Sequence, residues 1–281
     1  MRDGKESALG AYGLSIAGLA EAEEWMQALP DSSPHLRVEA AREANTNSQS
    51  SWLDEAAADV RLVGGGRLRM RRGDGRARFT FPELPPDEDL LHPYLAPAAA
   101  LAHLWAGREA LHGGAFATSA GAVALLAEKD GGKSTTLAWL AAEHRLPVLA
   151  DDLIVLREGA ALSGPRCLDL RRSSPLNSLN LDTARLVRNG ERLRIPLAGA
   201  PPEARLVAVV VLRWGARTRL DTPGPADRLR ELLPHRMYGD RLAGDPPAIL
   251  ELAAVPMLIL TRPRGEAGLR DAAIAVSDYF C

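Results

Sequence analysis

Residues 127–136 read AEKDGGKSTT, and the apolar run GAVALL (121–126) stands directly before them. STTLAWLAAEH (134–144) follows with helical character, and then LPVLADDLIVL (146–156), an apolar strand interrupted by two aspartates. Strand, glycine-rich loop, helix and strand make one βαβ unit, for which a right-handed crossover is expected. A helix that opens on paired glycines turns its first N–H groups and the positive end of its dipole toward an anion. Gly131, Gly132, Lys133, Ser134 and Thr135 fill the core of the pattern G-x-x-x-x-G-K-[ST]. In that pattern the lysine bridges the β- and γ-phosphates of a nucleotide and the hydroxyl ligates Mg²⁺. Ala127 takes the place of the first glycine and is still small. Asp130 is discordant, because a carboxylate near a triphosphate costs binding energy unless it points to solvent. Aspartate does, however, tolerate the left-handed backbone that such a loop needs. The bland alternative is a glycine-rich turn with Ser134 as a helix cap.

Asp151 and Asp152 follow Lys133 by 18 residues, at the end of an apolar strand. An aspartate at the tip of the strand beside a phosphate loop holds Mg²⁺ directly or through water. Two in succession allow one to face the metal and the other to act as general base toward an acceptor hydroxyl. A solvated turn between two strands is the alternative.

Abundance does not explain the loop lysine, since Lys5, Lys129 and Lys133 are the chain's lysines among 34 basic residues. A net charge of −2 gives no reason to expect nucleic acid or an anionic membrane as partner. Cys167 and Cys281 are too few and too far apart for a disulfide framework or a zinc site. The N-terminus has no apolar stretch of the secretory kind, and no run of about 18 apolar residues would span a membrane. A cytoplasmic protein is the expectation.

Upstream, AYGLSIAG (11–18) reads as a first strand, LAEAEEWMQAL (19–29) as a short helix, and the amide-rich 40–52 as a mobile loop. Residues 59–84 alternate polar and apolar around two glycine clusters, the pattern of an antiparallel meander. YLAPAAALAHLWAGREAL (94–111) has helical spacing. Downstream, 204–214 is the clearest buried strand, 254–260 reads as another, and 265–280 closes the chain as a helix.

The run LHGG…GAVALLAEKDGGKST…HRLPVLADD resembles the HPr kinase/phosphorylase family and its HPr-kinase-like relatives, which share a P-loop fold with phosphoenolpyruvate carboxykinases. The resemblance covers residues 107–170 well and the remainder loosely. It implies a mixed α/β (α+β) chain: a β-rich accessory region over 1–106 and an HPr-kinase-like P-loop domain over 107–281. It also implies ATP and Mg²⁺ as cofactors, with Ala127, Asp130, Gly131, Gly132, Lys133, Ser134 and Thr135 around the nucleotide. Ser134 and Asp152 would serve the metal and Asp151 the acceptor proton, two aspartate roles that can be exchanged. His112, matching the family's histidine ahead of the loop, would lie close to the nucleotide, or else be a capping or core histidine. HPr kinases assemble into rings, which leaves a homo-oligomer open here, although no sequence feature reports an interface.

Lys129 and Asp130 replace a serine-glycine pair of the family loop, and Thr135 stands where HPr kinases carry glutamate. Those departures argue against HPr itself as acceptor. A serine of a peptide or protein, as in relatives that phosphorylate lasso peptides, or a small-molecule hydroxyl remains. Charge neutralisation beyond Lys133 needs arginine, whose planar fork suits phosphate oxygens. Arg166 is the first candidate, ahead of Arg171, Arg172, Arg192 and Arg194, all of which can equally be solvated strand-edge charges. RLRELLPHRMYGDR (228–241) is either an acceptor surface or an ordinary amphipathic helix. The competing whole-chain reading is a degenerate loop in a nucleotide-binding or scaffolding protein without phosphotransferase activity.

Overall fold

The computed structural model describes residues 8–44, 50–174, 183–239, 241–242 and 246–280. Two large sheets and several helices make a mixed α/β architecture. The first sheet has eight strands drawn from residues 8–81, and the second has nine drawn from residues 109–262. A three-stranded sheet of Cys167–Arg171, Arg192–Pro196 and Arg185–Val187 stands apart from both.

The expected first strand is a hairpin instead. Ala8–Ala11 pairs antiparallel with Leu14–Ala17, and Tyr12 and Gly13 form the turn with φ of 55° and 69°. Two left-handed residues in a two-residue loop match the twist of the flanking strands. The expected helix at 19–29 is a short 3-10 turn, Ala20–Trp25, followed by the strand Gln27–Leu29. Its buried Trp25 and Met26 pack into the sheet core, which overrides local helical preference. The loop expected at 40–52 lies partly outside the described residues, and its first positions extend the strand His35–Arg42. The meander is present as Ala57–Arg61, Arg67–Arg71 and Arg76–Phe81. The helix read at 94–111 ends at Trp105, and Glu109–Leu111 opens the second sheet.

The second sheet is organised by one long strand, Glu203–Trp214. Its start pairs antiparallel with Ala160–Leu162, and its later part runs parallel to both Ala122–Leu126 and Met257–Arg262. Ala122–Leu126 leads through the glycine-rich loop into the helix Lys133–Glu143 and on to Val148–Ala150. Gly114–Ala117 lies between those two strands and is antiparallel to each, so the two are parallel, as a βαβ unit requires. The helix buries Leu137, Trp139 and Leu140 in a core shared with the C-terminal helix Glu266–Phe280.

Residue 106 falls at the end of the Leu95–Trp105 helix, and one hydrophobic core passes straight across it. Tyr12, Trp25, Leu104 and Trp105 share that core with Leu153, Val155, Leu162 and Cys167. His103 pins the N-terminal hairpin to this helix. In the neutral ring Nε2–H donates to the Tyr12 carbonyl at 2.8 Å, and Nδ1 accepts from Arg108 at 3.0 Å. Burial, and then the Arg108 charge, push the His103 pKa from 6.5 down to about 4. Between those values the unfolded chain takes up a proton that the folded chain refuses. The stability contributed by neutral His103 is therefore complete above pH 6.5 and is lost as pH falls toward 4, by up to roughly 3 kcal/mol. Urea unfolding from pH 7 to pH 4 should show this decline, and His103→Gln should make it shallower. A slope unchanged by that substitution would contradict the assignment.

Candidate active site

Two short turns meet where the second sheet changes direction. His112 and Gly113 join Glu109–Leu111 to Gly114–Ala117, and residues 151–153 join Val148–Ala150 to Ile154–Arg157. Each pair of strands sits near opposite ends of the sheet order, so the chain breaks from one limb to the other at both turns. The turns are tied together. The Asp152 carbonyl accepts from His112 Nδ1 at 3.0 Å and from the Gly113 N–H at 3.3 Å. Asp152 itself is left-handed at φ 66°, a conformation that aspartate adopts more readily than most residues.

The glycine-rich loop abuts these turns. Gly132 is the N-cap of the Lys133–Glu143 helix, at φ 80°, and no side chain caps the helix. Ser134 is therefore not a cap, and its hydroxyl donates to Asp151 Oδ1 at 2.9 Å. The loop's tightness explains its residue choice: a Cβ on Gly131 would come within 2.5 Å of the Ala127 methyl. Asp130 is left-handed at φ 63°, its carboxylate is 54% exposed, and it pairs with Arg171. Glu128 and Lys129 are exposed beside it. The discordant carboxylate thus points to solvent and is neutralised by an arginine. Thr135 lies half-buried in the first helical turn.

Lys133 is buried, and its ammonium donates to the Ala127 carbonyl at 3.1 Å and to His112 Nε2 at 3.2 Å. The two contacts of His112 define a neutral ring, with the proton on Nδ1 and the lone pair on Nε2. Burial, and then the Lys133 charge, lower its pKa. Burial also lowers the Lys133 pKa, against the opposing pull of Asp151, Asp152 and Asp130. His235 stands close by, with its carbonyl accepting the His112 N–H at 2.6 Å and its pKa lowered to about 4, chiefly by burial. The stretch 228–241 thus reaches this site after the helix Pro225–Leu232 has ended.

Asp151 is completely enclosed. Burial and the neighbouring Asp152 raise its pKa well above the usual carboxylate range, and the Ser134 hydroxyl opposes them. Its Oδ2 is buried without a hydrogen-bond partner. A carboxylate in that state suits a divalent cation, with the Ser134 hydroxyl as an adjacent oxygen donor.

Three remote contributors carry no signal in the sequence, and a fourth, Thr136, ends the loop stretch itself. His92, between two helical segments, brings its ring to Asp151 and Asp152. Tyr12 is fully buried with its hydroxyl 3.4 Å from the Asp151 carbonyl, a long contact that makes it a wall of the site. Arg262, at the end of its strand, donates to the Gly131 carbonyl at 2.9 Å while stacking on Trp214 at 4.1 Å. Thr136 donates to the Gly132 carbonyl at 2.9 Å and closes the first turn.

The candidate arginines separate. Arg171 reaches the loop through Asp130, whereas Arg194 is fully buried against Asp169 and Asp89. Arg166 forms no hydrogen bond to the loop or to either aspartate. Its backbone N–H donates to the Trp25 carbonyl, and its side chain lines a groove of about 590 Å³ with Glu24, Trp25, Arg185 and Leu197.

No protein-family model and no curated protein sequence matches this chain. Among solved structures it is similar to the HPr(Ser) kinase/phosphatase from Coxiella burnetii. The two share 9% identity at a TM-score of 0.29, over 61% of this chain and 96% of that one. So loose a superposition assigns no residue a role. Among the described residues, no helix is long and apolar enough to cross a membrane.

Proposed function

We propose that this chain is a Mg·ATP-dependent phosphotransferase that moves the γ-phosphoryl group to a hydroxyl, on a serine of a peptide or protein or on a small molecule. The carrying observation is the first turn of the Lys133–Glu143 helix. There an N-terminus free of any side-chain cap, a buried lysine, and a serine bonded to an enclosed aspartate converge. Phosphoryl transfer asks the protein chiefly for positioning and charge neutralisation.

Lys133 supplies the cation for the β- and γ-phosphates, and the helix N–H groups complete the cradle. Ser134 and Asp151 would hold Mg²⁺, which when bound neutralises phosphate charge. Asp152, half-buried across the turn, is the carboxylate left to take the acceptor proton. The Ser134–Asp151 bond is the reason for placing Asp151 on the metal side. His112 is a positioning residue in this scheme, because its two nitrogens are spent on Lys133 and the Asp152 carbonyl. Arg262 holds the loop carbonyls outward so that the N–H groups face the phosphates.

Calorimetric titration of Mg·ATP into the wild type and Lys133→Ala tests the reading. The wild type should bind, and the variant should bind roughly 10- to 100-fold more weakly, as loss of a charge-assisted contact of about 1.5–3 kcal/mol requires. Equal affinity, or no binding to either, would refute it. Wild-type binding with no transfer to any hydroxyl would leave a nucleotide-binding or scaffolding protein.

A further inference from the structure

We propose that His92, Asp151 and Asp152 form a second cation site, which takes a divalent transition ion of the Mn²⁺ type without nucleotide and uses the His92 imidazole as a ligand. One nitrogen or oxygen from each of the three lies within 4.8 Å of the others. An ion at about 2 Å from each ligand fits that spacing after small side-chain shifts. His92 is 1% exposed and Asp151 2%. Both His92 ring nitrogens and Asp151 Oδ2 are buried with no hydrogen-bond partner. An orphaned buried polar atom is costly, and here the orphans belong to side chains that converge on one spot.

The ligand chemistry selects the ion. Mg²⁺ prefers an all-oxygen shell with several waters, whereas an imidazole beside two carboxylates suits a borderline ion. Each carboxylate lends one oxygen, and Asp151 keeps Oδ1 for Ser134.

The ligands are held from behind, as metal ligands generally are. The His92 carbonyl accepts from Arg194, which also grips Asp169, Asp89 and the Glu88 carbonyl. The Asp152 carbonyl is fixed by His112 and Gly113. His112 is not the nitrogen ligand, because its Nε2 faces Lys133 and its Nδ1 faces that carbonyl. The site stands on this geometry alone and would survive failure of the phosphotransfer reading.

Mn²⁺ titration of the nucleotide-free full chain, followed by electron paramagnetic resonance, tests it. Pulsed measurement of the bound ion should show ¹⁴N coupling from a directly coordinated imidazole. His92→Gln should lose that coupling and bind Mn²⁺ about tenfold or more weakly, whereas His112→Gln should retain it. Absence of Mn²⁺ binding by the wild type, absence of ¹⁴N coupling, or coupling that persists in His92→Gln would overturn the proposal. Circular dichroism checks folding. Should His92→Gln fail to fold, wild-type coupling retained by His112→Gln supports the site, and coupling lost there overturns it.

Discussion

Asp151→Asn is expected to lower phosphoryl transfer by roughly 10³-fold or more, equivalent to about 4 kcal/mol of transition-state stabilisation. The amide keeps the shape of the side chain and can still accept the Ser134 hydroxyl, so the loop should hold its form. What disappears is a negative charge in a fully buried position, where burial and Asp152 already oppose ionisation. Only a cation at Asp151 makes that charge worth keeping. Asp151→Asn should therefore also raise the Mg²⁺ concentration needed for half-maximal turnover. Asp152→Asn should lose transfer to a similar degree with Mg·ATP binding little changed, because its role lies on the acceptor side. Initial rates of ADP release and γ-phosphoryl transfer, measured against Mg²⁺ concentration for both variants, separate the two roles. Near-normal transfer by Asp151→Asn would remove the aspartate from the mechanism. A raised Mg²⁺ requirement in Asp152→Asn alone would reverse the assignment.

Arg194→Met should destabilise the protein by about 3–5 kcal/mol, the range expected when one member of a buried ionic cluster is removed. Arg194 is fully buried, and its guanidinium donates to Asp169 Oδ1 and Oδ2 at 2.8 and 2.9 Å and to Asp89 Oδ1 at 3.3 Å. Burial already pushes the Asp89 pKa up against the Arg194 charge. Without the arginine, two enclosed carboxylates lose their counter-charge and the Glu88 and His92 carbonyls lose a donor. Guanidinium unfolding of the wild type and the variant measures the loss. The triple variant Arg194→Met, Asp169→Leu, Asp89→Leu should recover much of it, because burying apolar groups of similar volume avoids the desolvation of ions. A single variant as stable as the wild type would show that the cluster contributes nothing net. Since Arg194 also fixes the backbone at His92, the single variant should loosen the proposed Mn²⁺ ligand as well.

The glycine-rich loop and the helix after it were legible because their sequence signals are local. Gly131, Gly132, Lys133 and Ser134 are consecutive, and they open the helix Lys133–Glu143 directly. Asp151 and Asp152 were legible for a similar reason, since a single βαβ crossover brings the end of one strand beside the start of that helix. The strands at 203–214 and 257–262 could be read from near-continuous apolar runs, as parallel strands covered on both faces require. The N-terminal hairpin reads as one strand in the sequence because Tyr12-Gly13 is not one of the Asn-Gly or Asp-Gly pairs that mark a two-residue turn. The 19–29 segment has helical spacing only locally, and its fate is set by the pairing of Gln27–Leu29 with the strand Ala8–Ala11.

Asp130 shows the division within a single residue. The sequence posed its problem, a carboxylate in a glycine-rich loop of phosphate-binding pattern. Only the fold brought Arg171, on a strand of another sheet, into contact with it. Arg166 had the better position in the sequence, yet its backbone is held by Trp25 and its side chain faces a different groove. His92 gave no sign at all, being a lone histidine in an apolar stretch, and neither did Arg262 or Tyr12. By itself, then, the sequence determined the elements whose partners lie within one βαβ unit: the loop, its helix and the paired aspartates. The tertiary structure alone decided what surrounds them, because His92, Tyr12 and Arg262 arrive from remote strands and turns through burial and sheet pairing, and neither leaves a periodic trace along the chain.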